Sequence, residues 1–321
     1  MTKIKSTLIF IGILSLLLTA CKEKAKKYDA PVHNKAIQTK ISPFLISIHD
    51  ADSLIHHAEN LAILDVRKVE RFEEGHLPGA QQIYRPDYES DTFPYKGMHA
   101  EKEKLEHELG IRGIDSSTLI LLYDEHGNVD AARLWWILLQ FGHKKIRLID
   151  GGYTAWTLAG NEISRETHQA EKKKFHFPHE FDNSLNIYRK ELLTLLKDSS
   201  MVIIDTRSDD EYNGTIIKNG ALKGGHIPGA IHEDYIYCLR YDSDYTFLSP
   251  DSLRNIFESL GIGPDSKIIT YCHSGVRSAL SLFVLREIIG YLNVRNYDGS
   301  WIEWTHFEDS PIESKAIKKE L

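Results

Sequence analysis

Cysteine is scarce in this chain: 321 residues hold only Cys21, Cys238 and Cys272. Three thiols allow at most one intramolecular bridge, so no disulfide framework can hold the fold together. Basic clusters are also missing from the folded part, and the net charge is -7. Together these argue against nucleic acid as a partner. The 16 histidines are scattered without paired spacing, which leaves no metal-ligand constellation. The one long apolar run, residues 8–18, is too short to span a bilayer comfortably. What remains is the composition of an ordinary globular protein, with a length that suits two domains of ~150 residues.

Against that background one short loop stands out. Lys267-Ile268-Ile269-Thr270-Tyr271 reads as a buried strand, and 279–286 has the apolar recurrence of a packed helix. Between them lies Cys272-His273-Ser274-Gly275-Val276-Arg277. A cysteine is thus placed on a strand-to-helix turn, at the carboxyl edge where open α/β sheets bind ligands. Free amides of the first helical turn point at an anion there. Gly275 permits a tight backbone, and Arg277 adds a permanent positive charge beside the sulfur. All three favour thiolate over thiol, which makes Cys272 a candidate nucleophile. A merely packed cysteine would need neither the glycine nor the arginine.

The chain also repeats itself. Leu64-Asp65-Val66-Arg67 returns as Ile204-Asp205-Thr206-Arg207, and Gly75-His76-Leu77-Pro78-Gly79-Ala80 as Gly225-His226-Ile227-Pro228-Gly229-Ala230. Leu121-Leu122-Tyr123-Asp124 aligns with Ile269-Thr270-Tyr271-Cys272, and the block from Ile149 to Trp156 answers the one from Tyr297 to Trp304. Four blocks in one order indicate tandem copies of a single α/β domain. Short apolar strands at 62–66, 119–123, 146–149, 202–206, 268–271 and 294–297 alternate with helical stretches such as 131–141 and 253–260. Such alternation implies βαβ units with right-handed crossovers.

The loop and both repeats resemble the rhodanese sulfurtransferases, over nearly everything from residue 42 to 307. That resemblance implies a tandem pair of small, mostly parallel sheets with helices on both faces. It also implies that Cys272 carries a sulfane sulfur as a persulfide, held by a cradle running to Arg277. Cysteine phosphatases, the nearest chemical rival, place five residues between cysteine and arginine. This chain has four, His273 through Val276, a tighter ring that suits one sulfur atom better than a phosphate. In the first copy Asp124 stands where the second has Cys272, and a carboxylate cannot become a persulfide. The first domain is therefore expected to be catalytically silent and to wall one side of a cleft.

Catalysis is accordingly assigned to Cys272 and Arg277, and substrate binding to Arg207, His273, Ser274, Gly275 and Val276. For Arg207 a salt bridge is an equal alternative. Mercaptopyruvate-type members carry an arginine where this chain has Glu211, which moves thiosulfate ahead as donor. His226, Asp65, Asp205, Trp301 and Trp304 are better read as structural. An insertion between Asn213 and Gly224 brings Lys218 and Lys223, suited to steering an anion or simply solvated. The expected reaction moves sulfur from thiosulfate to a thiol or cyanide acceptor, with no cofactor because sulfur is itself the carried group. Alternatives are a 3-mercaptopyruvate sulfurtransferase, a non-catalytic persulfide-carrying or binding lipoprotein, and a phosphatase.

The amino terminus reads as an address. Lys3 and Lys5 precede the apolar 8–18 run, and Leu18-Thr19-Ala20-Cys21 resembles a bacterial lipobox. Lipidation of Cys21 would anchor the protein to a membrane of the cell envelope, facing away from the cytoplasm. The expected organisation is a signal peptide at 1–20, a tether at 21–41 and a first domain at 42–165. A linker at 166–183, a second domain at 184–310 and a tail at 311–321 complete it. The lysines 172–174 fit a solvated linker, and Cys238 fits a bystander rather than a partner of Cys272.

Overall fold

The computed structural model describes residues 42–314. The signal segment, the tether and the lipidation expected at Cys21 lie outside the described residues. The first half forms a five-stranded parallel sheet from β1 (Leu45–Ile46), β2 (Leu61–Asp65), β3 (Ala80–Gln82), β4 (Leu119–Tyr123) and β5 (Ile146–Ile149), in the order β1-β5-β4-β2-β3. The second half repeats it with β6 (Asn186–Ile187), β7 (Met201–Asp205), β8 (Ile231–His232), β9 (Lys267–Tyr271) and β10 (Val294–Tyr297), in the order β6-β10-β9-β7-β8. Helices cover both faces of each sheet, so these strands are nearly continuous apolar runs rather than alternating ones. This is the expected duplicated α/β fold.

Equivalent residues make equivalent contacts in the two copies. Asp65 pairs across the sheet with Tyr123, and Asp205 with Tyr271. Each tyrosine hydroxyl donates to its aspartate at 2.6 Å, and each aspartate in turn holds the arginine two residues on. The repeated Asp-x-Arg block is thus a buried brace at the carboxyl edge of each sheet. The repeated histidines brace turns: His76 stacks on Phe72, and His226 on Tyr212. Trp301 and Trp304 lie in the core.

The halves share one core. A single apolar cluster runs from Leu122 and Trp135 in the first domain to Leu280 and Phe283 in the second. At its centre the helix Val129–Gln140 packs on the helix Arg277–Phe283, where Trp135 meets Phe283 edge to face at 4.8 Å. The latter helix runs on into a π-helical turn, Val284–Ile288. The linker is more anchored than its polarity suggests. Lysines 172–174 are exposed, but Phe175 and Phe177 are buried; Phe177 stacks on Phe141 and meets Phe175 edge to face. The start of the tail is tied down too, since Glu313 bridges to His226.

Candidate active site

Cys272 follows directly on β9, which lies between β10 and β7 in its sheet. Its amide donates to the Ser300 hydroxyl, and its carbonyl accepts from Trp301 N–H, which pins the start of the loop. The loop then turns at Gly275, whose φ is +74°. A Cβ there would lie 2.5 Å from the Asp298 carbonyl oxygen, so both conformation and space demand glycine. Cys272 itself is buried. Burial pushes its thiol pKa up, but the Arg277 charge, the Ser278 hydroxyl and the amides of Ser278 and Ser274 outweigh it. The result lies below the ordinary value. Cys238 shows the contrast: it is equally buried, lacks such support and is pushed well up. Both thiols are free, so Cys238 does not mask the nucleophile.

The cysteine loop opens on a cleft of about 580 Å³ between the two domains. Cys272, His273, Ser274, Val276, Arg277, Tyr235 and Lys218 form one wall, while the first domain supplies the other, including Asp124. Cations prevail there: Arg67, Lys68, Arg71, Arg85, Lys218 and Arg277 outnumber Asp124, Glu125 and Asp130. Five of these six are paired with a carboxylate, Arg67 with Asp65, Arg71 with Glu74, Arg85 with Asp130, and Lys218 and Arg277 with Glu211, which leaves Lys68 as the lining cation without an ion pair among the described residues.

Arg277 is not free in this arrangement. Its Nη1 and Nη2 donate to the Glu211 carboxylate at 2.7 and 2.9 Å, a bidentate pair. Lys218, from the insertion, reaches the same carboxylate at 3.0 Å. Burial would raise the Glu211 pKa, but Arg277 and Lys218 hold it well below the usual range. Glu211 thus does more than remove an expected anchor. It occupies the terminal nitrogens of the cradle arginine. The insertion also crosses to His273, whose Nε2 donates to the Asn219 carbonyl at 3.0 Å. Burial lowers the His273 pKa, which disfavours a positive charge on its ring.

Arg207 takes the salt-bridge alternative in place of the substrate-binding one. It does not line the cleft. Its Nε and Nη2 are spent on Asp205, its Nη2 also meets the Gly225 carbonyl at 2.6 Å, and its guanidinium lies over Trp301. The brace role takes it, because the buried Asp205 needs a counter-charge. Its first-domain counterpart Arg67 makes the same brace yet reaches the cleft and Glu125. Lys68, Arg71, Arg85 and Tyr235 also line the site without having been singled out; nothing in their local sequence separates them from surface residues.

The first-domain loop holds a carboxylate where the second holds a thiol. Asp124 turns its carboxylate into its own cradle, accepting from the amides of His126, Asn128 and Asp130 at 2.8–3.0 Å. Burial, then the nearby Asp130 charge, raise its pKa to about 7, against the pull of those amides. The niche that a thiolate would use is filled by the protein's own oxygens.

Comparison with known proteins agrees with the duplicated fold. The rhodanese-like domain model matches residues 47–159 and again 188–307. A Thermus thermophilus protein named sulfur carrier protein TtuD is 34% identical over 251 residues, covering 75% of this chain and 86% of the relative. A Saccharopolyspora erythraea protein, provisionally named a thiosulfate sulfurtransferase, is 31% identical over 76% of this chain and 86% of its own length. Among solved structures, the anaerobic ergothioneine biosynthesis enzyme from Chlorobium limicola aligns with a TM-score of 0.76 at 25% identity, over 84% of this chain and 70% of that one. With two family matches, two equivalent sheets and one surviving cysteine cradle, the chain belongs to the rhodanese family of sulfurtransferases and sulfur carriers, as a tandem member.

Proposed function

We propose that the protein transfers sulfane sulfur from thiosulfate to a thiol or cyanide acceptor through a persulfide on Cys272. The observation that carries this is a buried cysteine whose thiolate is favoured by Arg277 and loop amides, open to a cation-rich cleft. The Cys272 thiolate attacks the outer sulfur of thiosulfate, the S–S bond breaks, and sulfite leaves with the electron pair. An acceptor thiolate or cyanide then attacks the terminal sulfur and returns Cys272 to thiolate. Amides of the loop hold the added sulfur, and Arg277 balances its charge.

Glu211 favours thiosulfate over mercaptopyruvate, because a carboxylate stands where mercaptopyruvate-type members carry an arginine for the substrate carboxylate, and it engages Arg277 as well. The provisional name of the Saccharopolyspora relative points the same way. The Thermus relative's name as a sulfur carrier supports a second reading, in which Cys272 bears sulfur for a protein partner with little turnover of its own. Envelope anchoring through Cys21 rests on the lipobox alone. Radiolabelled palmitate incorporation, lost in Cys21→Ala, tests it.

The deciding experiment is single-turnover sulfur transfer with thiosulfate and mercaptopyruvate in parallel, with intact mass read before and after cyanide. One sulfur gained from thiosulfate and cleared by cyanide supports the enzyme. Gain only from mercaptopyruvate would overturn the donor. Cys272→Ser should gain none while keeping its melting curve; retained transfer would overturn the mechanism. A stable persulfide that small acceptors do not discharge would favour the carrier.

A further inference from the structure

The first domain has lost its own nucleophile, yet its longest helix sends a buried arginine to the other domain's sulfur loop. Arg133, on the helix Val129–Gln140, is completely buried, as is its partner Asp298 just beyond β10. One terminal nitrogen, Nη2, donates to Asp298 Oδ1 and to the Gly97 carbonyl, the latter at 2.7 Å. The other, Nη1, reaches the carbonyl of Gly275 at 3.4 Å, inside the cysteine loop. Asn296 on β10 donates to that same carbonyl at 3.1 Å. Gly97 belongs to the first domain and lies against the loop: a Cβ there would come within 2.8 Å of the Ser274 Cβ.

These contacts bear on the direction of the loop amides. A trans peptide is planar, with its C=O and N–H on opposite sides, and no peptide bond among the described residues is cis. Two donors that hold the Gly275 carbonyl on one side therefore fix the Val276 N–H on the other. Gly97, itself tied by Arg133, backs Ser274, whose amide favours the Cys272 thiolate. No Cys272 contact is made by Arg133 itself, so its action runs through the backbone.

We propose that Arg133 is a positioning residue supplied across the domain interface, which with Gly97 holds the 274–276 segment so that its amides face the sulfur. The proposal rests on the reading of Cys272 as the reacting group. It gives the silent domain a direct part in the chemistry beyond forming a wall.

The test uses the full chain with two variants. Arg133→Met paired with Asp298→Asn removes the arginine without stranding a buried carboxylate. Gly97→Ala disturbs Ser274 from the first-domain side and leaves the ion pair alone. For each, iodoacetamide labelling of the Cys272 peptide is followed against pH, alongside a melting curve and the single-turnover rate with thiosulfate. The expected result in folded protein is a labelling midpoint moved up by about one pH unit, with about tenfold less thiolate at neutral pH. Sulfur capture should slow in parallel. Midpoints unchanged in both variants would overturn the proposal, and a lowered melting temperature with an unchanged midpoint would assign Arg133 to stability alone. Labelling needs no sulfur donor, so it tests the positioning even if thiosulfate is not the substrate.

Discussion

At the scale of single residues, Glu211 is the most consequential departure. Its carboxylate is nearly inaccessible, whereas Arg277 and Lys218 reach solvent in part. Glu211→Gln strands two cations and should cost about 2 kcal/mol in denaturant unfolding, below the figure for a fully buried pair because both partners are partly solvated. The pH dependence has a definite sign. A carboxylate held below its ordinary pKa of 4.5 contributes stability above that value and loses it as pH falls toward the depressed folded value. Wild type should therefore lose stability more steeply than Glu211→Gln below pH 4.5, as acid titration of the melting temperature would show. The same variant releases both terminal nitrogens of Arg277. Relative use of mercaptopyruvate over thiosulfate should rise, and an unchanged ratio of the two kcat/KM values would remove Glu211 from donor choice.

At the scale of elements, the loop after β9 depends on a backbone only glycine supplies at position 275. Gly275→Ala forces a strained φ and drives a Cβ into the Asp298 carbonyl, so about 2–3 kcal/mol of stability should go with most of the sulfur transfer. A variant that melts and reacts like wild type would contradict that account. This loop was fully legible in the sequence, because strand, cysteine, glycine and arginine are contiguous and each type has a local reason. β4, β5 and β10 matched their apolar runs residue for residue, and β2, β7 and β9 within one residue at their ends. Lysines 172–174 are exposed as a solvated linker would have them, but the adjacent Phe175 and Phe177 are buried because His143 and Phe141, in the first domain, supply partners that the local sequence does not show. Arg207 was read by analogy of position, but the Asp205 two residues before it competes for the same guanidinium. The reach of Arg133 could not be read at all, since 142 residues separate it from the carbonyl it holds.

At the scale of the whole molecule, the cation-rich cleft contrasts with an acidic chain. The second-order rate of sulfur capture from thiosulfate should fall several-fold between low salt and about 0.5 M, as screening shortens the reach of that field. Lys68→Glu, on the wall opposite Cys272, should lower the low-salt rate and flatten its salt dependence while leaving the cyanide-cleared mass unchanged. A salt-independent wild-type rate would show that the field plays no part in capture. The continuous core beneath the cleft has a further consequence for timing. Trp135, Leu280 and Phe283 belong to one packed cluster, so the two walls are joined by continuous packing beneath the cleft. Under the proposed transfer, donor and acceptor would take turns in that one cleft, sulfite departing before the second visitor arrives. On that reading the molecule would work as a turnstile, admitting one visitor at a time to a single sulfur.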